Sequence, residues 1–117
     1  MLAISPQTKI WLMIEPVDFR KGIDTLAQVC RQQLEEDPFS GAWFFFRNRR
    51  KTACKLLAYD GQGFWLCMKR FSEGKLSWWP TAASQTIRLS PQELQTLIWN
   101  GNPIHANFAP LWKPILS

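Results

Sequence analysis

Two rhythms of apolar and polar residues run along the chain, one with the period of a strand and one with the period of a helix. Residues 10–14, Ile-Trp-Leu-Met-Ile, are a short apolar and partly β-branched run, which predicts a buried strand stopped by Pro16. Residues 20–34 change to helical spacing. Ile23, Leu26, Ala27, Cys30 and Leu34 fall on one stripe, while Asp24, Gln28, Arg31 and Gln32 turn to water. Asp18 stands where this helix needs an N-cap, and Pro38 ends the segment by disfavouring helical geometry in the residue before it.

Beyond Pro38 the pattern shortens into four β-like segments, 42–47, 53–59, 64–70 and 76–79, all rich in aromatic and aliphatic residues. Their connections are 48–52, 60–63 and 72–75, and glycines in the last two supply the positive φ of tight hairpins. A further strand is expected at 86–89. Ser90-Pro-Gln-Glu93 then signals a helix start, with Ser as N-cap, Pro at the first position and Glu93 placed for a capping box. The helix 91–99 sets Leu94, Leu97 and Ile98 on one face and ends at Asn100-Gly101. Pro103, Pro110 and Pro114 keep 102–117 from being one regular element. Its Ile104, Phe108, Leu111 and Trp112 predict an extended arm that packs on this domain or on a neighbour.

The expected fold is α+β: an antiparallel β-meander of about four to six strands packed with two main helices. It makes a single two-layer domain over 1–101, followed by a Pro-rich C-terminal arm over 102–117.

Composition narrows the chemistry. The 117 residues suit one domain, and 46% hydrophobic with 20% charged residues predicts a folded chain. Cys30, Cys54 and Cys67 are widely spaced with no Cys-x-x-Cys, and His105 is the only histidine, so a zinc set of paired ligands is absent. The cysteines are expected to be reduced, buried and apolar in character. No apolar run approaches the roughly 20 residues of a membrane span, and Pro6 and Lys9 interrupt the N-terminus, which does not read as a signal peptide. A cytoplasmic protein with no membrane partner, metal or cofactor is the expectation.

Charge gives the best functional lead. The net charge is +5, and five of the fourteen basic residues, Arg47, Arg49, Arg50, Lys51 and Lys55, lie together with no acid between them. On a hairpin tip they would project into solvent as phosphate binding requires, with Lys69 and Arg70 returning to the same end of the sheet. The competing reading is a solubilising loop that keeps the hairpin from aggregating. Alternation puts Trp43, Phe45 and Arg47 on one side of their strand, Lys55, Leu57 and Tyr59 on one side of the next, and Trp65, Cys67 and Lys69 on one side of the third. If those sides coincide, the sheet carries an aromatic and positive surface able to stack bases or bind a partner. If both faces are buried, the aromatics are core. No catalytic set stands out: the acids are scattered, and Gly61-Gln-Gly63 is neither a Walker loop nor a dinucleotide fingerprint.

Six spaced motifs occur in order: Pro16-Val-Asp-Phe-Arg-Lys-Gly-Ile-Asp24, Asp37-Pro-Phe-Ser-Gly41, Phe46-Arg-Asn-Arg-Arg50, Tyr59-Asp-Gly-Gln-Gly63, Lys69-Arg70 and Trp79-Pro80. Together they resemble the TnpB accessory family, the second open reading frame of insertion-sequence-66 transposons, over about residues 9–101. The resemblance implies a bacterial mobile-element protein without catalysis of its own, assisting a separate and larger transposase. The motif positions it marks are Asp18, Arg20, Lys21, Gly22, Asp24, Arg47, Arg49, Arg50, Asp60, Gly61, Gly63, Lys69 and Arg70. Two roles stay open. One is DNA binding through Arg47, Arg49, Arg50, Lys51, Lys55, Lys69 and Arg70, with transposon DNA as partner. The other is docking on the transposase through Arg20, Lys21, Trp43, Tyr59, Trp65 or the arm, and a homo-oligomer is compatible with either.

Overall fold

The structure, a computed structural model, describes residues 4–101, so the expected arm 102–117 and His105 lie outside the described residues. In chain order the elements are β1 (Ile10–Met13), α1 (Ile23–Gln32), β2 (Trp43–Arg47), β3 (Ala53–Tyr59), β4 (Phe64–Arg70), β5 (Thr86–Leu89) and α2 (Pro91–Ile98). The strands form one sheet of order β4-β3-β2-β1-β5. β2, β3 and β4 are the antiparallel meander expected from the turns at 48–52 and 60–63. β1 joins it in parallel, with Ile10 opposite Trp43 and Leu12 opposite Phe45. Parallel neighbours need a crossover, and α1 supplies it. β5 closes the other edge antiparallel to β1.

Strand alternation divides the core between the two faces of this sheet. Ile10, Leu12, Phe45, Cys54 and Leu56 point one way and pack with Leu94 and Leu97 of α2. Met13, Phe44, Phe46 and Leu57 point the other way and pack with Leu26, Val29 and Cys30 of α1. The α+β class, the five strands and the two helices match the expectation. The helices take opposite faces, which places the sheet between them rather than beneath one helical layer. Central β2 is therefore covered on both sides, and Phe44, Phe45 and Phe46 are all buried although they are consecutive.

Residues 76–79 correct the expectation of a strand. They belong to no strand, and the chain crosses the α2 face of the sheet there. Leu76 and Trp79 enter the core, and the Trp79 indole donates to the carbonyls of Met13 and Ile14 at 3.2 and 3.1 Å. Its ring stacks on Phe45 with centroids 5.6 Å apart. On this face Leu76 and Trp79 bury apolar surface against Phe45 and α2, which pairing at an exposed edge would not provide.

Helix ends show a second correction. α1 starts three residues later than expected, with Gly22 as N-cap and no side-chain cap. Asp18 instead accepts from the amide of Arg20 at 2.9 Å and closes the preceding turn. At the other end Glu35 takes φ 55° and the Glu36 amide reaches back to the carbonyl of Cys30 at 3.0 Å, so the helix ends on a left-handed residue. α2 follows its sequence signal closely: Ser90 and Glu93 form the reciprocal capping box, with Pro91 at the first position.

Candidate nucleic-acid interface

The β2–β3 tip is organised by Asn48. Its side-chain oxygen accepts from the amides of Thr52 and Ala53 at 2.9 and 3.2 Å, and its amide nitrogen donates to Thr52 Oγ1 at 2.8 Å. Lys51 sits in the left-handed region at φ 60° and its amide donates to the carbonyl of Asn48, which tightens the turn. Arg47 adds a brace, since its Nη1 donates to the carbonyls of Asn48 and Arg49 at 3.1 and 3.4 Å while the guanidinium lies over Trp79. Its Nε is buried without a hydrogen-bond partner among the described residues, and this burial lowers its pKa. Sequence reasoning missed Asn48 as an organiser. The available signal was a turn-favouring residue at the start of the basic run.

Facing the tip is the turn after β1. The Val17 amide donates to the carbonyl of Arg47 at 3.0 Å and fastens the two segments together. Between them lies an open cleft of roughly 680 Å³, lined by Pro16, Val17, Asp18, Phe19, Arg20, Asn48, Arg49 and Arg50. Arg20 is exposed and forms a forked pair with Asp18, its Nη2 2.7 Å from Oδ2 and its Nε 3.1 Å from both oxygens. Those hydrogen bonds hold the Asp18 carboxyl down at about 2, well below the usual carboxylate range. Arg49 and Arg50 are exposed, and half-buried Lys21 flanks the turn. The cleft thus brings Arg20, Arg49 and Arg50 together against the single carboxylate of Asp18.

Lys55 is not part of this surface. It is 7% exposed, and its ammonium donates to the carbonyls of Phe19 and Lys21 at 2.7 and 3.3 Å with Phe19's ring 4.8 Å away. A phosphate cannot reach it; its charge is spent holding the cleft's turn against β3. Lys69 and Arg70 do return to the tip's end of the sheet, opposite Cys54 and Ala53, but on the outer strand and away from the cleft. Lys69 donates to the carbonyl of Ile98 at 2.7 Å and lies over Phe71 and Trp99, where a cation suits the C-terminal end of α2.

Register decides the proposed coincidence of faces. Trp43, Arg47, Trp65 and Lys69 share the α2 face because Ala58 pairs with both Trp43 and Trp65, and Cys54 with both Arg47 and Lys69. Lys55, Leu57 and Tyr59 occupy the α1 face, so the three strands do not present one aromatic and positive side. Trp43 is half-buried in the α2-side core, and Tyr59 packs against Phe39 and Phe64 at the end of the sheet far from the tip. Asp60 is a turn residue, accepting from the amides of Gln62 and Gly63 and from the Trp65 indole, contacts that lower its pKa. Among the described residues no group of three His, Cys, Asp or Glu side chains is placed to hold a metal ion. No described helix is long and apolar enough to cross a membrane.

Similar proteins match most of the chain. Two proteins of Sinorhizobium fredii, called uncharacterized proteins y4hO and y4jC, are 33% and 31% identical over 98 residues; these cover 84% of this chain and 84% and 83% of theirs. No solved structure matches the chain. The family model described as IS66 Orf2-like protein matches residues 8–107, and the chain belongs to that family, the accessory proteins of IS66 transposons.

Proposed function

We propose that this accessory protein binds DNA phosphates through the cleft between the β1–α1 turn and the β2–β3 tip, with Arg20, Arg49 and Arg50 as the contacting cations and Lys21 and Lys51 beside them. The observation that carries this reading is the convergence of three exposed arginines from two distant chain segments on one open cleft. The tip is braced before any ligand arrives, by Asn48 and Arg47, so little ordering cost falls on binding. Arginine forks match phosphate oxygens, and neither a base-reading helix nor a pocket for a flipped base is needed. Binding of this kind is sequence-tolerant and supports assistance to a transposase that supplies the chemistry.

Three contacting cations with two more beside them predict a salt slope of about −3 to −4.5 in log K against log [salt]. The double variant Arg49→Glu with Arg50→Glu changes only exposed side chains, so it should fold normally. It is expected to weaken binding to a random duplex at low salt by roughly tenfold or more and to reduce the slope by about 2. Fluorescence anisotropy titrations across a salt series read both quantities. Unchanged affinity in the variant, or no binding by the parent protein at low salt, rejects the reading. Capture of the transposase by the parent protein in nuclease-treated extract, unaffected by these two substitutions, would favour the docking role instead.

A further inference from the structure

β4 is the outer strand of the sheet, and among the described residues nothing pairs with its far side. Its hydrogen-bonding phase follows from its neighbours. The amide of Phe71 donates to the carbonyl of Thr52, and that of Asp60 accepts its place opposite Gly63 by donating to the Gly63 carbonyl. With Ala53 opposite Arg70 and Tyr59 opposite Phe64, bonded pairs alternate, so Trp65, Cys67 and Lys69 point their amides and carbonyls at β3. Phe64, Leu66, Met68 and Arg70 therefore point theirs outward. This edge is seven residues long, contains no proline, and exposes Trp65 at 39% and Met68 at 55%. Edges are usually blunted by proline, bulges, charge or a covering segment; here only Lys69 and Arg70, at one end of the strand, serve that purpose.

Its sequence is complementary to itself. Read outward from Cys67, the neighbours are Leu66 and Met68, then Trp65 and Lys69, then Phe64 and Arg70. An antiparallel copy centred on Cys67 sets apolar against apolar and each aromatic ring against a cation, pairings that stabilise a sheet across strands. The phase agrees as well: Leu66 opposite Met68 and Phe64 opposite Arg70 both become bonded pairs, giving about eight inter-chain hydrogen bonds. The other in-phase centres lose this matching: on Leu66 or Met68 the rings or the cations face aliphatic and sulfur side chains, and on Lys69 cation faces cation. We propose that a second copy of this chain pairs here, β4 against β4, about a two-fold axis through Cys67. The pairing is independent of the DNA reading.

Cys67 gives the test. Across the axis the two Cys67 form a non-bonded pair with Cα atoms about 4.5 Å apart, within disulfide reach. Cys30 and Cys54 are buried, and burial pushes their thiols up to about 12 and 11, so they do not compete. Diamide, a two-electron thiol oxidant, should convert the full-length protein to a Cys67–Cys67 dimer, taking up the two protons and two electrons the thiols release. In a Cys67→Ser background, a mixture of Trp65→Cys and Lys69→Cys chains should cross-link as the heteropair, and Trp65→Cys alone should not. Leu66→Pro removes an outward amide and spares the β3 ladder; sedimentation at tens of micromolar should then show half the parent mass. A monomeric parent protein overturns the proposal. So does cross-linking of Trp65→Cys to itself, which marks another register, or a dimer untouched by Leu66→Pro with its circular dichroism intact. If that variant fails to fold, the cysteine pairs still decide.

Discussion

Lys55 lies inside the most basic stretch of the chain and yet faces no solvent, and the reason is thirty-six residues away in sequence. Alternation puts its side chain on the α1 face, where Phe19 and Lys21 turn their carbonyls toward it. Nothing local to 47–55 distinguishes it from Arg49 or Arg50, so its burial was illegible in the sequence. The turn of Asn48 was legible only as a turn, because its hydrogen bonds depend on the register with which Thr52 and Ala53 return. Lys55→Ala takes the partner from two part-buried carbonyls and is expected to cost about 1–3 kcal/mol, against near zero for Arg50→Ala at the surface. Urea unfolding of the two variants, compared with the parent, measures the difference. Equal stability of Lys55→Ala and the parent would mean that water satisfies those carbonyls and that the lysine does not fasten the turn.

Elements whose signals are local were readable, and those settled by distant partners were not. α2 carries its start in four consecutive residues, and the capping box forms as written. The β2–β3–β4 meander was legible for the same reason, since each hairpin is encoded in its own turn. The parallel pairing of β1 with β2 has no local mark, and neither does the choice of residues 76–79 to plug a face instead of pairing at an edge. For α1 the pattern placed the apolar stripe correctly but misplaced the cap, because Asp18 serves a turn of its own. Its C-terminal end contains a correctable strain: Glu35 holds φ 55°, a conformation that costs a side chain about 1 kcal/mol or more. Glu35→Gly relieves it, with part of the gain lost to the freer unfolded chain, and should stabilise by about 0.5–1 kcal/mol. In a calorimetric scan that corresponds to a rise of roughly 2–8 °C. A fall in melting temperature would show that the Glu35 side chain contributes more than its backbone strain costs.

At the scale of the whole molecule the cleft and the free edge have a geometric relation that neither has alone. The β2–β3 tip lies at the C-terminal end of β4, since Arg70 pairs with Ala53 at the base of the tip. Two copies joined by antiparallel β4 strands therefore carry their tips at opposite ends of a continuous ten-stranded sheet, pointing away from each other. Clefts so disposed cannot both follow one short duplex, but they can hold two. The dimer is expected to bridge DNA: a biotinylated duplex on beads should retain a second, fluorescent duplex when the protein is present and release it at high salt. Leu66→Pro should lose the bridging while each monomer keeps its own salt slope, because the cleft cations are untouched. The Arg49→Glu, Arg50→Glu variant should lose both bridging and single-duplex binding while still forming the Cys67 cross-link. Bridging that survives Leu66→Pro in a confirmed monomer would place two DNA surfaces on one chain and end this account. A cross-linked dimer that binds one duplex and never two would leave the β4 pairing standing and remove the opposed clefts as its use.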